Sequence, residues 1–234
     1  MELTDLLDAR HSCRAFLPGP VDAATIDAVL ARAQRTASWC NTQPWQVHLL
    51  SGEPLAAFAK VLTEQVVTAA AEGRAQRADL GVPTYTGVHA ERRRESGHGL
   101  YAHLGIARED WLARGTQMLQ NFSFFGAPHT LVVTTDRDLG SYGVLDCGAY
   151  VQVLQLLLAD VGLGVVAQGA IGMYSDVVRE QLHLTEDRLV VCAVSFGHPD
   201  PDAAVNGFRT SRVDLDEVVR VPGGERPEPG VGPV

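Results

Sequence analysis

The chain has 234 residues, 46% of them hydrophobic and 20% charged, which is enough apolar surface for a sizeable core and excludes a largely disordered polymer. Nineteen basic against 28 acidic residues leave a net charge of −9, arguing against a protein that grips nucleic-acid backbone. Four scattered cysteines make no C-x-x-C pair and eight histidines no H-E-x-x-H spacing, so no metal is expected.

In chain order, Thr4 to Ala9 reads as a short helix leading into Arg10-His11-Ser12-Cys13-Arg14. Pro18-Gly19-Pro20 breaks the chain, and Asp22 is placed to cap a helix with apolar Ile26, Val29, Leu30 and Ala33, ending near Ala37. The polar, aromatic run Ser38 to Trp45 reads as a loop, Gln46 to Leu50 as a strand, and a helix follows from Pro54 through Phe58, Leu62 and Val66. From Arg74 to Gly105 periodicity dissolves, which predicts either a lid or a disordered loop. Helix returns over Trp111 to Phe122 and a β-branched strand over Thr130 to Thr135. The stretch Val144 to Ala167 is long and apolar, but Asp146, Gln152, Gln155 and Asp160 make it a buried helix around Tyr150 and not a membrane span. An irregular stretch from Gly162 to Gly172, a helix behind a Ser175 cap, a strand over Leu189 to Phe196 and an extended segment over Leu215 to Val221 complete the reading. We expect one domain over residues 1–221 with an excursion at 74–105, and a flexible Pro/Gly-rich tail over 222–234. The Met-Glu-Leu-Thr start has no secretory character, so a cytoplasmic chain with reduced thiols is expected.

Four segments can carry chemistry. Arg10, Ser12 and Arg14 can converge on a phosphate through charge-assisted bonds or form a solvated helix end. Ser38, Asn41, Thr42 and Gln43 suit the polar edge of a flat heterocycle, with Trp39 and Trp45 as apolar walls, although Trp45 can equally anchor the core and Cys40 suits a packing role. Small residues around Gln168-Gly169-Ala170 allow backbone N–H groups to approach a planar ligand, or make a glycine-rich turn. Asn206 to Arg212 repeats the arginine–hydroxyl chemistry near the other end of the chain. No nucleophilic triad is present.

Taken together, these segments resemble the FMN-dependent nitroreductase family. Arg10-His11-Ser12-Cys13-Arg14 is similar to its N-terminal R-x-S-x-R phosphate motif and Ala37 to Trp45 to its P-S-x-x-N-x-Q-P-W loop. Asn121 with Phe124 to Pro128 resembles the segment ahead of a central strand, and Arg209 to Arg212 the C-terminal phosphate clamp. The Glu91-Arg92-Arg93, Leu100-Tyr101-Ala102 and Gly105 to Arg108 segments are similar to actinobacterial members. The resemblance implies an α+β fold with a central mixed sheet flanked by helices, in an intertwined homodimer with two FMN molecules at the interface. It implies that Arg10, Ser12, Arg14 and Arg212, within a segment that includes His11, hold the phosphate, with Arg209 assisting. Ser38, Trp39, Asn41 and Gln43 would lie along the isoalloxazine, in part from the second protomer, with Asn121 nearby and Ala167, Gln168, Gly169 and Ala170 on the flavin's other side. Gly169 stands where the family often has an acidic residue, and its backbone N–H would face flavin N5. The implied enzyme is an NAD(P)H-dependent oxidoreductase that reduces nitroaromatic or quinone-like acceptors by a ping-pong cycle, with no catalytic side chain of its own. The 74–105 excursion would be a lid selecting the acceptor. Alternatives are the same fold acting on an enone, a halophenol or free flavin, and a non-catalytic flavin-binding redox sensor.

Overall fold

In the computed structural model, which describes residues 1–222, the β-branched run expected as a strand is central: β2 (His129–Asp136) is buried almost along its whole length. It lies between β1 (Gln46–Ser51) and β4 (Arg188–Gly197), and β3 (Gly164–Gln168) closes the far edge in the order β1-β2-β4-β3. All three pairings are antiparallel, where a mixed sheet is expected. The parallel element is an isolated bridge between Ser12 and Val165, where the N-terminal segment lies on the free edge of β3 and the Cys13 N–H donates to the Val165 carbonyl at 3.0 Å.

Helices cover both faces of the sheet. On one, α2 (Ala23–Ala33) and α6 (Gly140–Asp160) pack Ile26, Val29, Tyr150, Leu154 and Leu158 against Leu131, Val133, Val194 and Phe196. On the other, α3 (Gly52–Ala71) buries Leu55, Phe58, Leu62, Val66 and Ala69, spaced three and four apart, beside α7 (Gly169–Gly172) and α8 (Ser175–Gln181). A bulge leaves Val191 without a β2 partner between the Val133–Cys192 and Thr134–Val190 pairs, so Val190 and Ala193, three residues apart, reach the same layer. Asp22 caps α2 by accepting from the Thr25 N–H at 3.2 Å, a contact worth about 1 kcal/mol. By length and composition α6 could cross a membrane. Here it is a sheet-covering helix, and its Asp146 and Gln155 are buried within the fold.

Several expectations are corrected. Helix α2 stops at Ala33 and not near Ala37, and Gly162 to Gly172 is a strand plus a helical turn. Ser175 is the first residue of α8 and does not cap it; its hydroxyl donates to the Gly172 carbonyl at 2.7 Å and accepts from the Asp79 N–H at 3.1 Å. The extended segment expected over Leu215 to Val221 begins with a short helix, α9 (Leu215–Val218). The helix predicted over Trp111 to Phe122 is α5 (Trp111–Leu119), and the N-terminal one is α1 (Leu3–Ala9). The flexible tail expected over 222–234 lies outside the described residues from 223 onward.

The segment 74–105, expected as either a lid or a disordered loop, contains a pinned stretch and a helix. Residues 74–81 are pinned: the Ser175 N–H donates to the Arg77 carbonyl, and Asp79 accepts from both the Arg179 guanidinium, at 2.8 and 3.0 Å, and the Val190 N–H, at 2.8 Å. Residues 87–103 form α4 (Gly87–His103), a helix with no buried residue. It is held to the C-terminal segment by polar contacts: Arg92 pairs with Glu217 at 3.0 Å, Ser211 donates to Glu95 at 2.9 Å, and His103 donates to the Ala204 carbonyl at 2.8 Å. Gly99 allows Phe208 to pack close, since a Cβ there would come within 3.2 Å of the ring.

One buried histidine couples the fold to pH. His129 Nε2 accepts from the Val21 N–H at 2.8 Å, so the ring proton sits on Nδ1 and is donated to Ser51 Oγ. Burial holds this imidazole below its ordinary 6.5, and it displaces His11 and His48 in the same direction. A folded-state value below the unfolded one means that protons bind the unfolded chain preferentially, so stability is retained above about pH 6.5 and lost as pH falls from there. Denaturant unfolding between pH 7.5 and 5 is expected to show this decline, and His129→Gln, which keeps an acceptor for Val21, to make it shallower, leaving the part due to His11 and His48. A wild-type stability that stays level over that range would contradict the assignment.

Candidate functional site

The two arginine-bearing ends of the chain meet. Asn206, buried and 192 residues beyond Arg14, accepts the Arg14 N–H through Oδ1 at 2.7 Å and donates through Nδ2 to the carbonyls of Ala15 and Asp200 at 2.8 and 2.9 Å. This staple closes a cavity of about 370 Å3, lined by Arg10, His11, Ser12, Arg14, Arg209 and Arg212, with Phe208 as an apolar wall. None of the four guanidinium groups makes an ion pair with a carboxylate among the described residues, although Asp8 is on the cavity's lining.

Their electrostatics are those of positive charges gathered and partly desolvated together. Burial, reinforced by the neighbouring positive charge of Arg212, lowers the pKa of Arg10, and burial lowers that of Arg14. His11 donates from Nδ1 to the Ala9 carbonyl at 3.0 Å, and its pKa is lowered chiefly by burial and further by Arg209, Arg10 and Arg14. Arg209 and Arg212 are braced by backbone, Arg209 on the Asn206 carbonyl at 2.7 Å and Arg212 on the Ser211 carbonyl at 2.7 Å and Thr210 Oγ1 at 2.8 Å. Like charges gathered without counter-charge are held at a cost that an incoming anion relieves.

The Ala167 to Ala170 ridge continues from the same sheet edge, because the N-terminal segment bridges to Val165 on β3. Ala167 and Gly169 are exposed, and a Cβ on Gly169 would meet no protein atom within 4 Å, so the ridge presents open space to a ligand. Gln168 points the other way. It is 2% exposed, accepts from Ser195 Oγ at 2.5 Å and donates to the Asn121 carbonyl at 2.7 Å, while Thr130 reaches Ser195 at 2.7 Å. Gln168 and Asn121 therefore meet each other behind the ridge, and the Asn121 side-chain amide is turned to the Met118 carbonyl.

The Ser38 to Gln43 loop is preorganised. Cys40, Asn41 and Gln43 have φ of +48°, +56° and +47°, each costing about 1 kcal/mol for a residue with a Cβ. Compensation comes from Ser38 Oγ accepting the Gln43 N–H at 2.9 Å, Gln43 Nε2 donating to the Asn41 carbonyl at 3.1 Å, and the Trp39 N–H donating to Asp146 at 3.0 Å. Trp39 is 62% exposed and leans on Tyr142, so it can serve as a wall. Trp45 cannot: it is buried, stacks on Tyr150 with centroids 4.8 Å apart, and donates to Gln34. Cys40 is exposed on the loop and does not pack. Neither end of this loop lines the arginine cavity. Sequence reasoning missed Asp146 and Asn206 as organisers; the signal for Asp146 was a carboxylate on an otherwise apolar helix.

Comparison with known proteins gives this arrangement its context. Residues 7–198 match the model of the nitroreductase family. A curated relative, nitroreductase NfnB of Mycolicibacterium smegmatis, is 36% identical over 92% of this chain and 90% of its own length. A 4-nitrobenzoate reductase of Pseudomonas putida is 34% identical over 90% and 92%. Among solved structures, an FMN and NADPH-dependent nitroreductase NfnB from sphigopyxis sp. strain HMH superposes with a TM-score of 0.90 at 34% identity, covering 96% of this chain and all of that one. The FMN-dependent NfnB from Mycobacterium smegmatis in complex with NADPH gives 0.84 at 35%, covering 93% and 96%. The cavity that joins the chain's two ends thus sits in a backbone shared over nearly its full length, and the chain belongs to the nitroreductase family.

Proposed function

We propose that this protein is a flavin-dependent oxidoreductase that uses NAD(P)H to reduce nitroaromatic acceptors, with quinone-like compounds as further acceptors. The observation that carries the reading is the cavity bearing Arg10, Arg14, Arg209 and Arg212 without a carboxylate partner among the described residues, next to a ridge whose glycine opens onto empty space. That donor set fits FMN: guanidinium forks and the Ser12 hydroxyl suit a phosphate dianion, and the uncharged Ser38, Asn41 and Gln43 suit the edge of a flat heterocycle. The similar NfnB proteins of known structure are FMN-dependent, one of them in complex with NADPH.

When bound, FMN supplies the two-electron chemistry between the nicotinamide and the acceptor. Arg10, Ser12, Arg14 and Arg212 hold the phosphate, and Arg209, braced on the Asn206 carbonyl, adds positive potential. Gly169, the first residue of α7, has a backbone N–H without an intrahelical partner that would be available to the flavin. Its missing side chain leaves that face free for the second reactant. A homodimer completes the reading, since the Ser38 to Gln43 loop lies off the arginine cavity and the outer surface of α6 and α1 exposes Tyr142, Leu145, Leu3 and Leu7.

The test begins with absorbance: the purified protein is expected to be yellow, or to become so on adding FMN, to oxidise NAD(P)H much faster when a nitroaromatic is supplied, and to sediment as a dimer. A colourless protein that gains no flavin absorbance removes the reading.

A further inference from the structure

A second basic site, which the FMN reading does not use, lies on α4. The triplet Arg92-Arg93-Arg94 divides its charge by helical geometry: Arg92 turns to the C-terminal segment and pairs with Glu217, whereas Arg93 and Arg94 turn to a cavity of about 460 Å3. Gln76, Val82, Tyr85 and Met173 complete the cavity's working surface. Arg93 is stacked over the Tyr85 ring at 5.1 Å, which orients its plane and leaves its N–H edge available. Neither Arg93 nor Arg94 makes an ion pair with a carboxylate among the described residues, in a protein with nine more acidic than basic groups.

The cavity is also tied to the proposed reaction centre. Met173, on its lining, directly follows α7 and stands four residues, roughly 6 Å of helix, beyond Gly169. Its opposite side rests on the segment that Asp79 anchors, with Gln76 next to Arg77, which bridges to Tyr174. The site thus combines two unneutralised guanidinium groups, an aromatic ring, an amide and a thioether at the margin of the flavin ridge.

We infer that Arg93, Arg94 and Tyr85 form an anion-recognition subsite for the second reactant, taking a carboxylate or phosphate group carried at a distance from the reacting atoms. This rests on the oxidoreductase reading, and two sources share the chemistry: an aromatic acceptor bearing a carboxylate, or the 2′-phosphate that distinguishes NADPH from NADH. Arg93 forms the fork against the stacked ring, Arg94 adds the second charge, and Gln76 offers a neutral donor.

The test is the double variant Arg93→Gln/Arg94→Gln in the FMN-loaded protein, beside Arg93→Lys/Arg94→Lys, with KM and kcat measured for 4-nitrobenzoate and 4-nitrobenzamide and for NADPH and NADH. Calorimetric titration with benzoate and with adenosine 2′,5′-bisphosphate reads binding without turnover. A rise of about tenfold in KM for 4-nitrobenzoate but not for the amide, with loss of benzoate binding and partial rescue by lysine, supports the subsite with the acceptor as the source. The same pattern for NADPH but not NADH, with loss of the bisphosphate, supports it with the dinucleotide as the source. Values within twofold for all four compounds, or an equal loss for charged and neutral ones, overturn it. The wild-type flavin spectrum and its turnover of the neutral amide report separately on the oxidoreductase reading.

Discussion

Alanine at Arg10 or at Arg212 is expected to weaken FMN binding roughly 30-fold, corresponding to about 2 kcal/mol for one charge-assisted contact to phosphate. Arg93→Ala, on the second cavity, leaves it within twofold. Equilibrium titration followed by flavin fluorescence checks both. The flavin-free protein supplies the control that separates a ligand contact from a structural one. There Arg10 is desolvated and faces Arg212, with no carboxylate partner, so removing either charge relieves repulsion and leaves denaturant stability equal or higher. Variants that lose stability without FMN and bind it as tightly as the wild type would make these arginines structural.

The second large effect concerns Asp79. Asp79→Ala strips the Arg179 guanidinium and the Val190 N–H of their shared acceptor at a place where both side chains of the pair are only 14% exposed. Leaving a largely buried charge unpaired costs about 3 kcal/mol, or roughly 9 °C in the unfolding midpoint of a chain this size. Arg137, 3.8 Å from the same carboxylate and half exposed, loses a weak partner and adds little to the cost. Since Asp79 ties residues 74–81 to β4 and α8, limited proteolysis of the variant is expected to cut between 74 and 86 before the rest of the fold yields. A midpoint within 2 °C of wild type, with unchanged cleavage, would show that the anchor lies elsewhere.

What could be read from the amino-acid order follows from burial. Segments with one face in the core, such as α2, α3 and β2, have apolar spacing that declares their period, and they lie close to where that spacing puts them. Helix α4 buries nothing, contains Gly97 and Gly99, and is held by one ion pair, hydrogen bonds and a close ring contact, so no periodic signal marks it. The short strand β3 was hidden among glycines, its Gly-Val-Val-Ala-Gln run too brief to stand out from a turn. At the site, residue chemistry announced the arginine pairs, because guanidinium groups repeated around hydroxyls suit phosphate. The direction of Gln168 was not legible: an amide between small residues can face either side, and the polar partners that draw it inward, Ser195 and the Asn121 carbonyl, are 27 and 47 residues away. Asn206 was similarly silent, since its value lies in meeting a backbone 192 residues distant.

That meeting has a bearing on how the protein is made. During synthesis from the N-terminus, Arg10 and Arg14 emerge before any strand of the sheet, but the staple that pairs with the Arg14 backbone arrives only with Asn206, and Arg209 and Arg212 follow it. A ribosome-bound chain can assemble β1, β2 and the flanking helices while its arginine cavity still lacks one wall. Closing so long a loop is among the slow steps of a fold. On the proposed reading, a product truncated before Asn206 would carry all four strands and yet be unable to retain FMN.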